Sequence, residues 1–160
     1  MTTPAHTYQR LIEEVVVTLL TADADVNQVY QGQQDEDYSP SIVRAYGFAT
    51  KVPRLSILVE CRDLTNAMLG ATGRGSLWTV LLKLRVSHNI ADDKDDDNAD
   101  RVQGACERWL YAVTPAALTT ALTGSGITVH GIVAAQDTDE LDQADGALRR
   151  TSAVTLHFEV

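Results

Sequence analysis

Apolar residues near the start of the chain follow a helical period. Tyr8, Leu11, Ile12, Val15, Val16, Leu19 and Leu20 fall on one face of an amphipathic helix, with Gln9, Arg10, Glu13 and Glu14 on the wet side. Thr3 followed by Pro4 supplies a cap and a first helical residue, and the helix is expected to end between Ala22 and Asp25. Residues 23–41 are polar, with Gly32, Asp35-Glu36-Asp37 and Pro40, and read as a long loop with a short extended piece at Val29 and Tyr30. Residues 42–50 fit helix or strand equally.

From Arg54 the period changes to two. Leu55, Ile57 and Val59 alternate with Ser56, Leu58 and Glu60, which predicts a strand. A connection from Arg62 to Gly75 carries Gly70, Gly73 and Gly75. The strongest strand signal runs from Ser76 to His88. One of its faces holds Trp78, Val80, Leu82, Leu84 and Val86; the other begins apolar at Leu77 and ends basic at Lys83 and Arg85. The acidic run Asp92 to Asp100 is read as preceding a second helix, whose buried stripe is Val102, Ala105, Cys106, Trp109, Leu110 and Val113. Thr114-Pro115 starts a short helix that stops at Gly124. Two strands close the chain. In the first, Ile127, Val129 and Val133 alternate with Thr128, His130 and Ile132; in the last, Ser152, Val154, Leu156, Phe158 and Val160 alternate with Thr151 to Glu159. An acidic loop, Asp137 to Asp145, joins them.

This order, α-β-β-α-α-β-β, predicts one α+β domain over residues 1–160: a largely antiparallel sheet with helices packed on one face. Long loops are expected near 23–41, 62–75 and 135–148. The 160-residue length and 44% hydrophobic content suit a single domain with its own core. No apolar run is long enough to cross a bilayer, so no membrane partner is expected. The net charge of −9 argues against tight general binding to nucleic acid.

Motifs for chemistry are thin. Gly70 to Ser76 has no Walker lysine and leads into a strand, where no helix start is available to hold phosphate. The aspartate run does not fit a calcium loop. Counting from Asp93, positions six and twelve are Asn98 and Gly104; counting from Asp95, they are Asp100 and Cys106. Cys61 and Cys106 have no metal-ligand spacing and read as reduced thiols. His6, His88, His130 and His157 are scattered, and Gly124-Ser125-Gly126 has the wrong offsets for a nucleophile elbow. No catalytic, metal or cofactor residues are assigned, and no enzyme activity is expected.

The whole-chain layout resembles the tail terminator, or tail-completion, proteins of long-tailed bacteriophages. The resemblance rests on the opening helix from Tyr8 to Leu20 and on the long strand Trp78 to Val86, which runs into an acidic stretch and the helix Asp100 to Val113. It rests also on the segment Gly126 to Gly131 after a short helix, and on the final strand Arg150 to Phe158. The resemblance implies a cofactor-free structural protein that assembles in the host cytoplasm as a homo-hexameric ring. The ring would cap the tail tube, end its polymerisation and meet a head-completion or neck protein, with DNA passing through the channel without specific binding. An acidic subunit suits such a conduit. Asp92, Asp93, Asp95, Asp96, Asp97, Asp137, Asp139 and Glu140 are candidates for the lumen or an outer rim. Tyr30, Asp35, Tyr38, Met68, Leu69 and Arg74, in long loops, are candidates for contacts with neighbouring subunits or the tube. The alternatives are another head–tail connector or neck protein, a small α+β ligand-binding domain or enzyme with His130 and His157 in a pocket, and an adaptor domain.

Overall fold

The computed structural model describes residues 5–27, 30–31, 37–38, 40–44, 55–67, 77–89, 93–135, 140–144 and 147–160. Helix α1 (Ala5–Ala22) opens the fold. Its side chains Tyr8, Ile12, Val16 and Leu20 recur every fourth residue and are all buried. Each such burial contributes roughly 1.5–3 kcal/mol before the entropy of ordering is subtracted. Past its end, the Asn27 side-chain amide donates to the carbonyls of Leu20, Thr21 and Asp23, and Asp23 accepts from the Val26 N–H. Residues 23–27, expected in a loop, therefore form a hydrogen-bonded cap for the helix C-terminus.

Two short strands follow, β1 (Tyr30–Gln31) and β2 (Asp37–Tyr38), paired antiparallel with each other. The main sheet consists of β3 (Ser41–Arg44), β4 (Leu55–Ala67), β5 (Leu77–Asn89), β6 (Thr128–Ala134), β7 (Glu140–Ala144) and β8 (Ala147–Glu159). Its order is β3-β4-β5-β8-β6. β7 pairs with Ala147–Thr151 of β8 and β6 with Val154–Glu159, so both lie end to end along one flank of β8. Helices α2 (Asp93–Ala112) and α3 (Pro115–Ala121) connect β5 to β6.

The fold is α+β, as the pattern predicts. The expectation of a largely antiparallel sheet needs one correction: β3 runs parallel to β4, which makes the sheet mixed. The observed order also adds β1, β2, β3 and β7 to the predicted elements.

Four boundaries differ from expectation, each for a local reason. β4 continues to Ala67, into the expected loop 62–75, across an irregularity between Arg62 and Thr65 where Asp63 has φ 55°. That bulge breaks the period of two, so the polar residues beyond it look like loop. Helix α2 begins at Asp93, not Asp100. Its apolar stripe starts only at Ala99 and Val102, and the aspartates of its first turns suit the positive end of the helix dipole. β7 occupies part of the expected loop 135–148. It pairs with the first residues of β8, from Ala147 to Thr151. Finally, β6 shifts register between Val129 and Gly131. The extra residue, His130, reverses the alternation. Ile132 then pairs with Leu156 and packs on the core, while Val133 is 53% exposed.

The core is one cluster. It joins the stripes of α1, α2 and α3 to Leu55, Ile57, Val59, Val80, Leu82, Leu84, Val86, Val129, Val154, Leu156 and Phe158. All three helices thus share one face of the sheet. Tyr8 meets Trp78 and Phe158 edge-on, with ring centroids 5.6 and 6.1 Å apart, and pins the start of α1 across β5 and β8. α3 matches its prediction: the Thr114 hydroxyl accepts from the Ala117 N–H, Pro115 is the first helical residue, and Gly124 takes φ 89° just past the end.

Candidate interaction surfaces

None of the three helices covers the second face of β4, β5 and β8. Its residues alternate with the core positions, and register sets them in rows. Ser56 lies opposite Ser87. Leu58 lies opposite Arg85, which pairs with Thr151. Glu60 lies opposite Lys83, which pairs with Ala153. Beyond the bulge, Thr65 lies opposite Thr79, which pairs with His157. The Thr65 and Thr79 hydroxyls are 2.8 Å apart.

Glu60 is the anchor of this face. It is buried, and it pairs with Arg62 on its own strand and with Arg85, at 3.5 Å, on the next. A buried carboxylate is tolerable only when paired in this way. The expectation that this face begins apolar and ends basic is correct for its residues, but the basic end is not simply open to solvent. Arg85 is largely buried, and Ser56 and Ser87 are fully buried. Among the described residues, the Ser56 and Ser87 hydroxyls and the Arg85 Nε have no hydrogen-bond partner.

Helix side chains also bond the backbone of two strands. On β4 Glu13, 1% exposed, accepts from the Cys61 N–H at 3.0 Å and from Arg44 of β3 at 2.9 and 3.2 Å. Gln9, one turn earlier, donates to the Cys61 carbonyl at 3.3 Å. Gln9 and Glu13 therefore do not lie on a wet side of α1. Glu13 is buried because the strand edge offers it an N–H and a guanidinium. On β6, the Thr119 hydroxyl of α3 accepts from the Val129 N–H at 2.9 Å and donates to the Pro115 carbonyl, also at 2.9 Å.

The acidic candidates separate. Asp93, Asp95, Asp96 and Asp97 open α2, and Glu140 opens β7. Asp92, Asp137 and Asp139 lie outside the described residues. Of the contact candidates, Tyr30 pairs with Tyr38 between β1 and β2. Asp35, Met68, Leu69 and Arg74 lie outside the described residues.

Of the histidines, His130 and His157 have described side chains. The bulge exposes His130, whose Nε2 lies 2.9 Å from a Glu159 carboxylate oxygen. His157 is exposed and packs beside Gly131. Among the described residues, no group of three His, Cys, Asp or Glu side chains is arranged to hold a metal ion. Both cysteines are free and buried. Burial pushes the Cys106 thiol up to about 12, and burial followed by the Glu13 and Glu60 charges pushes the Cys61 thiol up as well. Such thiols are poor nucleophiles. On the surface, the Arg108 guanidinium grips Asp25 at 2.7 and 3.0 Å and holds its carboxyl below the usual range. No described helix is long and apolar enough to cross a membrane.

Comparison with protein-family models finds no match to this chain, and comparison with curated proteins finds none either.

Proposed function

We propose that the chain is a structural subunit of a long-tailed bacteriophage virion. It forms a homo-hexameric ring that caps the tail tube, ends its polymerisation and joins the tail to the neck of the head. The observation that carries this reading is the order of elements within one α+β domain. An opening helix precedes a long strand, β5, which leads into the acid-led α2, the short α3 and the long closing strand β8. That is the layout on which the resemblance to tail terminators rests.

A second feature supports it. With all helices on one face, the other face of the sheet carries Thr65, Thr79, His157, Arg62 and Lys83, a polar surface suited to water or to other subunits. Its described charges include Arg62, Lys83 and Arg85 against Glu60 and Glu159, so this face is not acidic. If it lines the channel, the aspartates at the start of α2 belong to the ring's rim, not its wall.

The test is the native mass of the purified protein, alone and mixed with tail tubes, with electron microscopy of the same samples. Rings seated at one end of each tube are the expected outcome. A protein that stays monomeric and never associates with tubes, at any concentration, overturns the proposal.

A further inference from the structure

At one place the second face of the sheet holds more hydrogen-bond donors than acceptors. Ser56 of β4 stands opposite Ser87 of β5, and Arg85 is two residues before Ser87 on the same face. Both serines are 0% exposed. The two hydroxyls and the Arg85 Nε are closed to solvent, and among the described residues none of the three has a hydrogen-bond partner. A buried donor left unpaired is costly, so three together call for an acceptor.

Charge says which kind. Among the described residues Glu60 is the carboxylate in contact with Arg85, at 3.5 Å, and Arg62 shares it. Lys83, directly opposite Glu60, makes no ion pair among the described residues. Three cations thus stand around one carboxylate. Elsewhere, Glu140 and Asp142 of β7 pair in register with Thr151 and Arg149, and Glu159 is joined to His130. Water would satisfy the hydroxyls but leave the surplus charge in a largely buried place, whereas an anion answers both needs.

We propose that Ser56, Ser87 and Arg85 bind a monatomic anion, chloride under ordinary ionic conditions, which ties β4 to β5 on the second face. The closed hydroxyls require a compact ion. The Arg85 side chain is 19% exposed, and the ion enters as its guanidinium turns aside. This inference is independent of the ring proposed above, because it concerns the single folded chain.

The experiment follows thermal unfolding of the full chain at fixed pH and ionic strength, with sodium gluconate replaced stepwise by sodium chloride. In the wild type Tm rises with chloride. At a chloride concentration about 100 times its dissociation constant, the folded-to-unfolded ratio is about 100-fold larger. In the paired variant Ser56→Ala with Ser87→Ala, which removes two unpaired hydroxyls, the chloride response is lost. Crystals of the wild type grown in sodium bromide show an anomalous peak within hydrogen-bond distance of both hydroxyls. A wild-type Tm that ignores chloride overturns the proposal. So does a chloride response that the serine pair leaves unchanged, or a bromide map without that peak. Should the paired variant fail to fold by circular dichroism, Ser87→Ala alone makes the same comparison.

Discussion

Glu13→Ala is the sharpest probe of how α1 is held. The wild-type carboxylate is 1% exposed and accepts three hydrogen bonds, two from Arg44 and one from the Cys61 N–H. Truncation leaves the Cys61 N–H unpaired at a buried position, which costs about 1–3 kcal/mol. It also leaves Arg44 without its main partner. Breaking a buried pair by removing one member costs roughly 3–5 kcal/mol when the remaining charge is fully enclosed. Arg44 is 27% exposed and has a second carboxylate, Glu14, at 4.0 Å, so its share is smaller, about 1–2 kcal/mol. The sum is about 2–5 kcal/mol, which for a domain of this size lowers Tm by roughly 4–20 °C. Glu13→Gln keeps the shape and one acceptor oxygen, and loses about 1–2 kcal/mol. Denaturant unfolding with constant m-value measures both variants, and a double-mutant cycle with Arg44→Met isolates the pair, with an expected coupling of about 1–2 kcal/mol. A Glu13→Ala protein within about 0.5 kcal/mol of wild type refutes the reasoning, because that is the behaviour of a surface substitution.

Three further predictions follow from single sites. Neither Cys61 nor Cys106 reacts with a thiol reagent in the native protein, and both react once it is unfolded; rapid native labelling at either contradicts the burial and raised pKa described above. Asp63, at φ 55°, is a left-handed position, so Asp63→Gly stabilises by up to about 1 kcal/mol in urea unfolding and Asp63→Val destabilises. The Asp25 carboxyl is held low by Arg108, so its contribution is present above the unfolded carboxylate pKa and is lost as the pH falls through the lower folded value. In Arg108→Gln an NMR titration finds Asp25 back in the ordinary carboxylate range, and an unshifted titration removes Arg108 as the cause.

Much of the fold is legible locally because burial imposes a period. The stripe from Tyr8 to Leu20, the alternation from Leu55 to Val59 and again along β5, and the Thr114-Pro115 start of α3 each state their own structure. The places that were not legible share one cause: the partner strand lies outside the stretch itself. The polar residues after Arg62 are strand because Leu77–Thr79 pair with them. β7 is strand, within an acidic run that reads as loop, because Ala147–Thr151 of β8 pair with it.

The candidate surfaces divide in the same way. The acidic run and the mixed apolar and basic face of β5 are visible as sequence, and their charges follow from composition alone. Only tertiary structure decides that Glu13 is buried and not on a wet helix face, because the group that binds it is the backbone of Cys61, 48 residues later. It also decides that Glu60 holds Arg62 and Arg85, that His130 turns outward, and that Thr119 accepts from the Val129 N–H. The physical reason is that periodicity records which side of an element is desolvated. Hydrogen bonds and ion pairs record which elements meet, and that depends on strand order and register, which no single stretch of the chain contains.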